Sequence, residues 1–223
     1  MKKSLLLTLA GSSAIAVSAS AQFTITEIYA GVDGPDLTED WFELTNTSGS
    51  TASTSGLFYD DDSADPTENT PLGTLSVAPN ESVIFLVDVS NGDLAAESAD
   101  FVANWGVSPQ ISNVPGGSGL SGGGDGVFLF DGNMIGAATV DSLTYPDTSG
   151  NGDGFRTYFF NPDTSSPGWS QDGQDGAFES VNTSGDDGLL TVGSPGVIPE
   201  PEFYGVLFGA FALAFAAVRR RRA

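Results

Sequence analysis

Between Gln22 and Gly196 the chain holds no apolar pattern long and periodic enough to build a helical bundle. Short β-branched and aromatic runs alternate instead with clusters of Gly, Asp, Asn, Ser and Pro, the residues that turns select. That punctuation restricts the body to short strands joined by turns. Candidate strands are Phe23–Tyr29, Asp40–Thr45, Gly56–Tyr59, Gly73–Val77, Ser82–Val87, Gly126–Phe130, Ile135–Tyr145 and Phe155–Phe160. Ser82–Val87 (SVIFLV) is continuously apolar and is expected to be central, covered on both faces. In Phe23–Tyr29 the alternation of Phe23 and Ile25 with Thr24 and Thr26 holds at first and then breaks. One segment has a helical period: in Leu94–Trp105, Phe101 and Trp105 stand at i and i+4, with Ala95, Ala99 and Val102 near the same stripe.

Seven or eight short strands in about 175 residues is the count expected of an all-β, immunoglobulin-like β-sandwich. Charge and residue usage then exclude whole classes of function. The 223 residues carry 29 Asp and Glu against 7 Lys and Arg, a net charge of -22, with no His and no Cys. Between Gln22 and Val218 the only cation is Arg156. A body this acidic repels phosphate, so nucleic acid is not expected as a partner. Without His or Cys there is no Ser-His-Asp or Cys-His nucleophile, no ordinary zinc site and no disulfide. The glycine stretch contains Gly117-Ser-Gly119-Leu-Ser-Gly122, formally a dinucleotide fingerprint, but a strand and not a helix is expected after it, which makes it a loop.

Both ends carry targeting features. Residues 1–21 place Lys2 and Lys3 before the apolar run Leu5–Val17 and close on Ser18-Ala-Ser-Ala21, the three zones of a secretory signal peptide, with the mature chain expected to begin at Gln22. Near the other end Phe203–Val218 runs 16 residues without a charge and is followed at once by Arg219, Arg220, Arg221 and Arg222. As a helix it would reach about 24 Å, workable as a transmembrane span with arginine snorkelling and local thinning. The arginines should stay cytoplasmic and the acidic body outside. Pro199-Glu200-Pro201 stands just before this helix, and the order of Pro-Glu-Pro, apolar helix and terminal arginine cluster resembles the PEP-CTERM sorting signal of exported bacterial proteins. The resemblance implies processing by an exosortase-type membrane protease, in bacteria that make exopolysaccharide.

The body carries a second resemblance. Ile25-Thr-Glu27-Ile-Tyr29, Asp40-Trp-Phe-Glu43-Leu-Thr-Asn46, Gly56-Leu57 and Leu75-Ser-Val-Ala-Pro79-Asn-Glu81 come first, followed by Leu120–Leu129, Val140–Tyr145, Arg156, Trp169 and Gly193-Ser-Pro-Gly196. In that order the set resembles the lamin-tail domain in its bacterial form, over roughly residues 23–196. It departs at Gly154-Phe155-Arg156, where that family often has a serine and an aliphatic before the arginine. The resemblance implies an immunoglobulin-like sandwich and an exported module, and it names no activity.

Three groups of residues could carry chemistry. Asp147, Ser149, Asn151 and Asp153 place oxygen side chains at positions 1, 3, 5 and 7 of a loop with Gly152 at 6, a spacing that suits calcium; position 12 is Tyr158, not the glutamate a complete site needs. Asp60, Asp61, Asp62 and Asp65 supply further carboxylates, and solvated turns account for all these acids equally well. Glu27 and Glu43 stand where a sandwich strand normally places apolar or Thr residues, and Arg156 is expected to form a structural ion pair with them. The same two carboxylates across a cleft would suit glycoside acid-base work, and Trp41, Trp105 and Trp169 could stack on sugars. The residues therefore point to a non-catalytic exported structural or interaction module of the cell surface or extracellular matrix. Its expected associates are the processing protease, the membrane through the C-terminal helix, and an exopolysaccharide or surface partner. A calcium-dependent adhesion or glycan-binding module and, more remotely, a carboxylate glycoside hydrolase stay open.

Overall fold

The structure is a computed structural model, and it describes residues 22–31, 38–61, 63–89, 92–117, 119–147, 155–161, 166–184 and 188–197. The expected signal peptide 1–21, the residues expected to form a sorting motif (Pro199, Glu200, Pro201 and Arg219–Arg222) and the apolar run 203–218 lie outside the described residues. Among those described, no helix is long and apolar enough to cross a membrane.

Among the described residues the body is mostly β with one helix. In chain order the elements are β1 (Phe23–Tyr29), β2 (Trp41–Asn46), β3 (Ala52–Ser53), β4 (Phe58–Asp60), β5 (Thr70–Pro71), β6 (Ser76–Val77) and β7 (Ser82–Leu86), then α1 (Leu94–Trp105). After the helix come β8 (Gln110–Asn113), β9 (Asp125–Phe130), β10 (Thr139–Tyr145), β11 (Tyr158–Asn161), β12 (Ser166–Trp169), β13 (Phe178–Ser184) and β14 (Leu189–Gly193). The largest sheet has the order β12-β11-β1-β2-β7-β8; a second has the order β10-β9-β4-β5, and β13-β14 and β3-β6 form two-stranded ribbons. Among the described residues every pairing of strands is antiparallel except β7 with β8. Parallel neighbours need a crossover, and α1 supplies it. Asp93 caps the start of α1, its carboxylate accepting from Ala96 N at 3.1 Å, and Gly106 ends it in the left-handed region at φ 71°.

The six-stranded sheet is covered on both faces. One face shares a core with the four-stranded sheet, where Ile25, Ile28, Phe42, Leu44, Val83 and Phe85 meet Tyr59, Val127, Leu129 and Leu143. The opposite face carries Tyr29, Trp41, Ile84 and Leu86, buried under Phe101 and Trp105 of α1. Phe178 of β13 stands edge-on to Trp105, with ring centroids 6.1 Å apart. As expected of SVIFLV, all five residues of β7 are buried.

The break in the alternation of β1 is a bulge. Ile25 pairs with Leu44 and Glu27 with Glu43, so Thr26 and Glu27 together oppose one residue of β2. The extra residue keeps both Ile25 and Ile28 in the core and turns Thr26 and Glu27 to the helix side. Since β11 pairs only with Glu27 and Ile28, the Ile25 N–H is left on an open edge, and Asp141 of β10 accepts it at 2.7 Å. That bond ties the two larger sheets together.

Candidate functional site

The bulge and the two-residue period of β2 and β7 gather Thr26, Glu27, Glu43, Thr45 and Ser82 on the helix side of the sheet, beside the Tyr29–Trp41 aromatics. Glu27 and Glu43 face each other across β1 and β2, and each is only 1% exposed. Two acids this deep need donors or protons. Glu27 has three donors: the Thr157 hydroxyl, the Ser194 N–H at 2.7 Å and the Ser194 hydroxyl at 3.0 Å. Thr157 also shares a hydrogen bond with Ser170 at 2.6 Å. Glu43 accepts from Gly196 N–H at 2.6 Å and from the Thr26 hydroxyl at 2.6 Å. Thr26, Thr45 and Ser82 continue as a row of hydroxyls linked at 3.0 Å and 2.7 Å.

Both carboxyls hold protons far above the usual range. Burial pushes Glu27 up to about 7, against the pull of Thr157 and Ser194. Burial, and then the charge of Glu27, push Glu43 up to about 8, against its hydrogen bonds with Thr26, Gly196 and Ser82. Each carboxyl accepts from one backbone amide, which cannot reverse, and from hydroxyls, which can turn to accept a proton, so the protons are held by the pair and not by one assigned glutamate.

The lid over the pair is the segment that follows β14. Ser194 and Gly196 lie more than 150 residues from their partners, at sequence separations of 167 and 153. Gly193 comes close enough to require glycine: a Cβ there would lie 2.7 Å from Thr157 Cγ2, 2.9 Å from the Trp105 ring and 3.1 Å from Glu27 Oε1. A glycosidase needs its carboxyls open to a sugar. Here both are covered, and their donors come from the chain itself. The arrangement can store a proton and hold a segment of backbone.

The expected ion pair is not formed among the described residues. Arg156 is exposed, and its backbone bridges to Val192. The next residue, Thr157, is the one that reaches Glu27. Hydroxyls and amides stabilise the buried charge without taking a guanidinium out of water, which removes the need for a cation. Of the loop proposed for calcium, Asp147 is described while Ser149, Asn151 and Asp153 lie outside the described residues. Among the described residues, no three acids come together in a way that could hold a metal. Asp60 is used in a turn, its carboxylate accepting from Ser63 Oγ at 2.8 Å and Asp65 N at 3.0 Å. Trp41 of the sheet and Trp105 of α1 are buried against each other, out of reach of a sugar, and Trp169 is half-buried beside Tyr158.

The hydroxyl set escaped the sequence reading. Part of it carried a signal, since Glu43 and Thr45 share a strand face at i and i+2, as do Ser82 and Ile84. Ser194 and Gly196 stood out only within the closing Gly193-Ser-Pro-Gly196 of the resemblance, with nothing to tie them to the glutamates. No family model matches the chain, and no curated protein matches it significantly.

Proposed function

We propose that this chain is a non-catalytic, exported structural or interaction module of the cell surface or extracellular matrix. In this reading its body is an immunoglobulin-like sandwich of the lamin-tail type, released from a 1–21 signal peptide and sorted through an exosortase-type pathway. The observation that carries the reading is the way the body closes. The two most buried acids among the described residues are occupied in fastening Ser194–Gly196, three residues before Pro199-Glu200-Pro201. A fold that ends on so firm a clasp leaves the motif and the apolar run 203–218 to act as a separable tail. The acidic body would stay outside while Arg219–Arg222 hold the tail to the cytoplasmic side.

The test is intact mass spectrometry of the exported protein from a host that has an exosortase and from one that lacks it. The mature form should begin at Gln22 and lose Phe203–Ala223 only in the first host. A form that keeps Phe203–Ala223 in both hosts would overturn the sorting claim. Turnover of a polysaccharide by the purified protein would overturn the non-catalytic one.

A further inference from the structure

At the open edge of the six-stranded sheet, β11 and β12 form a hairpin in which Phe159 pairs with Gly168. Phe159 lies on the same face as Glu27, with which it also pairs. Among the described residues no atom stands within 4 Å of where a Gly168 side chain would begin, so the surface opposite the half-buried Phe159 is open there. The concavity measures about 370 Å³, and Phe159, Gly168 and Trp169 form its wall with Gln171, Gln174 and Asp175 of the turn that follows. This volume is at the lower end of the ~300–1,000 Å³ typical of small-ligand sites.

The turn fixes the polar groups. Gln174 N donates to Gln171 O at 3.0 Å, Ala177 N to Gln174 O at 2.8 Å and Gly173 N to Ala177 O at 2.9 Å. Gln174 Nε2 donates to Gln171 Oε1 at 2.9 Å, which orients both amides and leaves Gln171 Nε2 to donate and Gln174 Oε1 to accept. Exposed Asp175 adds a carboxylate able to accept from two neighbouring hydroxyls.

From this juxtaposition we infer that the groove over Gly168 binds a neutral saccharide, one or two rings of a glycan, with the C–H face of a ring on Phe159 and hydroxyls on Gln171, Gln174 and Asp175. An aromatic flank beside a donor, an acceptor and a carboxylate matches a ring that is apolar on its faces and hydroxylated at its rim. Asp175, within a chain of net charge -22, disfavours uronate or phosphate sugars. The inference rests on the interaction-module reading and names its ligand class.

The test is calorimetric titration of the full-length protein with cellohexaose, laminarihexaose and maltohexaose, alongside oligogalacturonate and oligolysine. Saturable binding of at least one neutral glucan, insensitive to rising salt, is expected. Gly168→Val fills the groove at a strand position that favours a β-branched residue; it should keep the melting temperature and weaken binding about tenfold or more. The double variant Gln171→Ala with Gln174→Ala sits on an exposed turn and should do the same by removing the two amide contacts. Failure to bind any of the neutral glucans, or Gly168→Val and the double variant binding as the wild type does, would overturn the groove. Preference for oligolysine, lost as salt rises, would replace the saccharide by a basic peptide. Cleavage of a bound glucan would instead overturn the non-catalytic reading and leave the ligand class standing.

Discussion

The two faces of the six-stranded sheet are built by the same strands and buried to the same depth, yet they are held in different ways. On the face toward the four-stranded sheet, Ile25, Phe42, Leu44, Val83 and Phe85 leave no polar side chain to satisfy. On the face toward α1, the aromatic patch of Tyr29, Trp41 and Trp105 gives way within one strand step to Glu27, Glu43, Thr45 and Ser82. Apolar burial is non-directional and tolerates repacking, whereas buried carboxyls demand particular donors at particular places. The first face therefore supplies stability, and the second supplies a requirement that Thr26, Thr157, Ser194 and Gly196 meet in their native positions. A residue-by-residue comparison of the faces separates these roles.

The largest effect belongs to the apolar face. Phe85 is fully buried and stacks on Phe42 with ring centroids 5.4 Å apart. Phe85→Ala should cost about 3–5 kcal/mol in urea unfolding, by the same amount at pH 5 and pH 8, because no proton is involved. A cost that changed with pH would show that the two faces are coupled.

The carboxyl face should respond to pH. Both glutamates bind protons more tightly folded than at their ordinary value of 4.5, so the folded state holds more protons between about pH 4.5 and about pH 8. Stability from the pair is then complete below about pH 4.5, falls as pH rises through that window, and is lowest above it. Glu43→Gln keeps the shape, lets its amide donate to Thr26, and removes the second charge. It should be close to wild type at pH 5 and about 1–2 kcal/mol more stable at pH 8. The acidic surface adds a slope of its own to both proteins, so the difference between the two profiles isolates the pair. Parallel profiles would refute the raised proton affinity of the pair.

Arg156 should matter least. As an exposed side chain with neither carboxyl of the pair in its keeping, Arg156→Met should change stability by under about 0.5 kcal/mol. A double-mutant cycle with Glu27→Gln should give a coupling energy near zero. A coupling above about 1 kcal/mol would restore the ion pair expected from the sequence and undo the account of Glu27 given by its hydroxyl and amide donors.

What the sequence determined is local. The helix Leu94–Trp105 was legible to the residue from the stripe of Phe101 and Trp105 with Ala95, Ala99 and Val102, and the structure adds the capping Asp93 and the left-handed Gly106 that bound it. The strand Phe23–Tyr29 was legible too, together with the fault in its alternation, which the structure explains as a bulge at Thr26. Edge and ribbon strands were not: β8, β12, β13 and β14 are short, polar or glycine-bearing, and they owe their extension to a neighbour's hydrogen bonds rather than to a pattern of their own. The sequence also marked Glu27 and Glu43 as out of place, and from charge counting it assigned them Arg156. Only the tertiary structure could decide that their partners are Thr157, Ser194 and Gly196. Opposite charge is visible in a list of residues. A hydroxyl or a backbone N–H is present at almost every position, so which one reaches a buried carboxyl depends on where the chain has folded to.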